Sequence, residues 1–98
     1  MRSILLILLL VSVEKAIGQY VPQDGFVNSD TVAIKIAEAV WLPIYGRSIY
    51  NKLPFYAAYD SISGIWTVMG TLKTDAGGVP VAKIQRSDGK IVYVWHGK

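Results

Sequence analysis

At 98 residues the chain holds one domain at most, and its lack of cysteine excludes disulfides, thiolate metal ligands and lipid attachment through a thiol. Hydrophobic residues make up 52% of it, and the net charge of +3 is spread out with no run of Lys or Arg. Nucleic acid binding normally needs a basic stripe, so that class is set aside.

Met1-Arg2-Ser3, the apolar run Ile4–Val13, Glu14-Lys15 and then Ala16-Ile17-Gly18 form the three-part layout of a secretory signal, with the cut expected between Gly18 and Gln19. A spanning helix needs about 20 apolar residues, more than this run supplies, so no stable membrane span is expected after cleavage. The expected address is therefore exported, periplasmic or secreted. Three Trp, six Tyr and two Phe, all after Gly18, supply bulk for a small core without disulfides.

Residues 19–28 read as an extended N-terminal arm, polar and turn-rich, with Pro22 and Asp24-Gly25. Asn28, Ser29 and Asp30 are successive helix N-cap candidates. A helix follows from about Asp30 to Leu42, with Ala33, Ile36, Ala37, Val40 and Ile44 on one stripe, Ile34 and Trp41 beside it, and Lys35 and Glu38 opposite. Pro43 is expected to stop or kink it, and Gly46 to terminate it before a short helical stub that Pro54 closes.

From Phe55 the apolar period changes to two. Strands are expected over Phe55–Tyr59, Ile65–Leu72, Val79–Arg86 and Ile91–His96, punctuated by the turn at 60–64, by Gly77-Gly78 and by the hairpin signal Asp88-Gly89. Pro80, with no N–H, must face an unpaired side. The fold class is thus α+β, one N-terminal amphipathic helix packed on a four-stranded antiparallel meander sheet over residues 29–98.

Register assigns the faces. Pairing Tyr59 with Trp66 puts Phe55, Ala57, Tyr59, Trp66, Val68 and Gly70 beneath the helix, and Ile65, Thr67, Met69 and Thr71 on the other side. A turn at Ser87–Lys90 sets Arg86 opposite Ile91, Ile84 opposite Tyr93 and Ala82 opposite Trp95, also beneath the helix. The open face then carries Val81, Lys83, Gln85, Val92, Val94 and His96. Antiparallel sheets can leave their second face wet, and exposed apolar patches mark contacts. Thr67, Met69, Thr71, Lys83, Gln85, Val92, Val94 and His96 are the candidate partner-binding residues. Such a face meets another protein, closes a homodimer or simply faces water.

Little points to chemistry. His96 is the only histidine, so zinc spacing is absent, and no catalytic residue, metal site or cofactor is expected. Asp24, Asp30, Asp60, Asp75 and Asp88 fall at turns or caps, where Asp bonds its own backbone. Gly77-Gly78 lacks the setting of a phosphate-binding loop. Trp41, Trp66 and Trp95 are read as core, and Tyr45, Tyr50 and Tyr56 as clustering around the helix–strand junction.

The segment Thr31–Ala39 (TVAIKIAEA) followed by Trp41-Leu42-Pro43-Ile44-Tyr45-Gly46 resembles the opening helix of bacterial immunity proteins with a nuclear-transport-factor-like, or cystatin-like, fold. Pro54-Phe55, Trp66–Leu72 (WTVMGTL), Gly77-Gly78, Ile84, Asp88-Gly89-Lys90-Ile91 and His96-Gly97-Lys98 continue the likeness in order. The resemblance implies a non-enzymatic antitoxin of polymorphic toxin systems, which binds a cognate toxin, itself encoded by a neighbouring gene. One long helix in place of the three of larger members implies a minimal version of the fold, and no shared set of contact residues carries over. Two other readings stay open: an envelope ligand-binding module for a wall fragment or lipid in the helix–sheet cleft, and an enzyme on the same fold.

Overall fold

A computed structural model describes residues 19–73 and 77–97. The expected signal peptide, Asp75 and Lys98 lie outside the described residues. The elements are helix α1 (Asp30–Tyr45), a 3₁₀ turn (Gly46–Lys52), and strands β1 (Tyr56–Asp60), β2 (Ile65–Met69), β3 (Pro80–Gln85) and β4 (Ile91–His96). The strands form one antiparallel sheet in the order β1-β2-β3-β4. The expected α+β meander with one helix is the fold observed.

Ser29 caps α1, its Oγ accepting the Val32 N–H at 3.3 Å. Pro43 does not stop the helix. Ala39 and Pro43 both face solvent, so the carbonyl left without a partner by the missing N–H can be hydrated. The stop comes at Gly46, whose φ of 72° a side chain would resist and whose N–H donates to the Leu42 carbonyl.

The buried stripe of α1 is Ala33, Ala37 and Trp41, rotated from the expected one; Ile44 is 56% exposed. Two alanines at four-residue spacing let the helix axis come close to Val68, Ala82 and Ile84, all fully buried. Trp41 fills the remaining width, edge-on to Phe55 with centroids 5.2 Å apart, its Nε1–H donating to the Val81 carbonyl at 3.4 Å. Beside it the Tyr50 hydroxyl donates to Glu38 at 2.6 Å; that bond to a carboxylate holds the phenol above its ordinary pKa.

The arm is pinned to the sheet. The Phe26 and Val27 N–H groups donate to the Ser87 and Arg86 carbonyls, and the buried Val27 returns its own carbonyl to Trp66 Nε1 at 2.7 Å. Gly25 makes the approach possible, since a Cβ there would lie 2.6 Å from the Arg86 oxygen.

The β1–β2 register is the expected one, Tyr59 opposite Trp66. The β3–β4 register is not. Gln85 N–H donates to Lys90, Ile84 lies opposite Ile91, and an irregularity at Lys83/Ile84 leaves Val92 without a partner. Beyond this bulge Lys83 faces Tyr93, Ala82 faces Val94, Val81 faces Trp95 and Pro80 faces His96. One extra residue moves every later side chain of β4 to the opposite face. Tyr93 and Trp95, expected beneath the helix, therefore stand on the open side, 45% and 53% exposed.

Gly70 is buried, but under the 3₁₀ turn rather than α1: an added Cβ would lie 2.8 Å from Lys52 Cβ and 3.1 Å from its carbonyl oxygen. Gly70→Val should overpack this junction and destabilise the domain by about 1–3 kcal/mol. A denaturant melt with an unchanged midpoint would contradict that placement.

Candidate partner surface

The open face is built in cross-strand rows. Tyr56, Met69, Val81 and Trp95 stand opposite one another across all four strands. The next row is Ala58, Thr67, Lys83 and Tyr93, and the third is Asp60, Ile65 and Gln85. The first row is thus apolar and aromatic from edge to edge, with Tyr56 half exposed at one end and Trp95 at the other. Trp95 leans over the strand end: a Cβ on the buried Gly97 would lie 2.8 Å from its ring.

The second row adds charge. The Lys83 ammonium sits 5.8 Å from the centre of the Tyr93 ring, within cation–π range. Lys83, Tyr93, Val92, Thr67 and Ile65 line a shallow depression of about 420 Å³ that ends at Asp60 and Ser63. The Asp60 carboxylate accepts the Ser63 hydroxyl at 2.8 Å and the Ile62 N–H at 3.0 Å. These bonds, led by Ser63, hold its pKa below the usual carboxylate value. The stability Asp60 gives the turn is present above its unfolded-state pKa and is lost as pH falls through the depressed one.

Among the described residues no three His, Asp or Glu side chains come together as metal ligands, and no helix is long and apolar enough to cross a membrane. What the sheet offers is a mixed face with exposed aromatics on its two edge strands. Residues 32–98 match the profile of a family described as NTF2 fold immunity protein. The chain belongs to that family. It is also similar to the uncharacterized protein YhhH of Escherichia coli (strain K12), 30% identical over 83 residues, which are 83% of this chain and 64% of YhhH. The chain thus spans less than two thirds of that curated relative. No solved structure matches it.

On this immunity-protein fold the sequence-predicted surface residues separate. Thr67, Met69, Lys83 and Gln85 share the open face, with Val92 at the bulge on its rim. Val94 and His96 do not join them. Val94 packs against the core beside Ala82, and the His96 ring lies 5.2 Å from Tyr45 on the helix side. Thr71 lies past the end of β2, its N–H bonded to the Lys52 carbonyl and its hydroxyl to that of Pro54. At the turns, Asp88 accepts the Lys90 N–H at 2.9 Å, and Gly77, Gly78 and Gly89 have positive φ.

Tyr56, Tyr93 and Trp95 are the surface residues that sequence reasoning missed. A signal existed. The space under two small alanines already takes Trp41, Phe55 and Trp66, so a further indole there would overfill it. Tyr and Trp are also the residue types enriched at protein interfaces.

Proposed function

We propose that this chain is an exported immunity protein that neutralises a cognate toxin by direct contact, with no chemistry of its own and no cofactor. The contact surface is the open face of the sheet. The observation that carries this reading is the unbroken row Tyr56–Met69–Val81–Trp95, with Tyr93 and Lys83 beside it. Exposed aromatics anchored on a rigid sheet lose little side-chain freedom on binding, and they are the groups that dominate association energies. Membership of the immunity-protein family supports a toxin as the partner, and the signal-like layout of residues 1–18 supports an exported address.

The test is coproduction of the full chain with the toxin encoded by the neighbouring gene. Growth should be restored, and the two proteins should elute together on size exclusion. Cell death despite folded immunity protein in the same compartment would refute the reading.

A further inference from the structure

A second depression, of about 390 Å³, lies at the other side of the molecule, where the end of α1, the 3₁₀ turn and the far end of the sheet meet. Lys52, Lys73 and His96 line it together with Tyr45, Ser48 and Asn51. Among the described residues no carboxylate lines it, and the only ion pair is Lys35 with Glu38, elsewhere on α1. Asp24, Asp60 and Asp88 belong to the arm and hairpin turns, Asp30 to the start of α1, and Glu38 is bonded to Tyr50. The chain therefore gathers cationic donors at one end of the fold without a described internal partner for them.

The site is also held in shape. The Lys52 stem lies against Gly70, where a Cβ would come within 2.8 Å, and its carbonyl accepts the Thr71 N–H at 2.7 Å. His96 is fixed opposite Pro80, with the Gly97 N–H on the Val79 carbonyl and the Tyr45 ring beside its own. Two of the nearby helix-end carbonyls, which would repel an anion, accept hydrogen bonds: Leu42 from the Gly46 N–H, and Tyr45 from the Ser48 hydroxyl at 3.0 Å.

We infer that this mouth between helix and sheet is a binding site for an anion of carboxylate or phosphate chemistry. Two ammonium groups supply the charge, and the Asn51 amide and the His96 imidazole beside them supply the directional hydrogen bonds, the Ser48 hydroxyl already donating to Tyr45. The anion is either a free small molecule or an acidic side chain of the bound toxin. The second source rests on the toxin-binding reading; the site itself does not.

The experiment is titration of the isolated full-length protein with inorganic phosphate, followed by backbone amide NMR. Saturable shifts confined to Tyr45, Ser48, Asn51, Lys52 and His96 are expected. Lys52→Gln combined with Lys73→Gln should weaken them at least tenfold while amides of β1 and β2 keep their positions. His96→Gln, which leaves the Lys52–Gly70 packing intact, should weaken them less. Absence of saturation, or shifts scattered over the surface, would overturn the site without touching the toxin reading, since no toxin is present. In a second arm the double variant is titrated with the toxin. Weaker binding assigns the anion to the toxin's acidic side chain, and unchanged binding alongside lost phosphate binding assigns it to a free molecule.

Discussion

Trp95→Ala should weaken the toxin complex by about 2–3 kcal/mol, close to a hundredfold in Kd, with the domain still folded. The residue is half exposed on the open face, so its removal leaves no interior cavity. On the bound face the same ring would lie at the edge of an apolar row whose other members, Val81, Met69 and Tyr56, exclude water around it. Aromatic anchors in that setting typically carry a large share of an interface's energy. Tyr93→Ala should give a smaller loss in the same direction, because it also strips Lys83 of its ring partner. Lys35→Ala, on an exposed part of α1, should leave Kd unchanged. Calorimetric titration against the toxin, with a thermal melt of each variant, separates binding from folding. Equal affinity of Trp95→Ala and parent would remove the open face from the contact.

The architecture was legible because local signals agreed with one another. Ser29 before an amphipathic run, Gly46 after it, and two-residue alternation from Phe55 onward each name an element, and β1–β2 came out in register because a short turn ties Tyr59 to Trp66. The surface was less legible because it hangs on a single residue. The bulge at Lys83/Ile84 is invisible in a strand whose every second residue is bulky, yet it exchanges Tyr93 and Trp95 for Val94 and His96. The docking of the arm was likewise hidden. Its two backbone bonds and the Trp66-to-Val27 bond join residues about sixty and forty positions apart, and no local periodicity reports on those. Pro43 misled for a different reason: its penalty depends on whether the orphaned carbonyl meets solvent, which the sequence around it does not state.

Trp41→Ala should be the most damaging change in the core, costing about 3–5 kcal/mol. Trp41 is fully buried between Ala37, Phe55 and the sheet, and rigid strands on one side and a capped helix on the other give the cavity little room to collapse. A domain of this size holds a net stability of roughly 5–10 kcal/mol, so the loss takes a large share of it. The melting temperature should fall by roughly 15–30 °C, read by near-ultraviolet circular dichroism. Trp41→Phe keeps most of the buried ring but gives up the Nε1–H bond to the Val81 carbonyl, and should cost about 1–2 kcal/mol. The two variants also divide core from surface. Val81 stands in the open row while its carbonyl meets the indole behind it, so Trp41 supports the proposed contact face without belonging to it. Toxin affinity of Trp41→Phe, measured well below its melting temperature, should match the parent. A melting point of Trp41→Ala within a few degrees of the parent would show that α1 is not seated on the sheet through this residue.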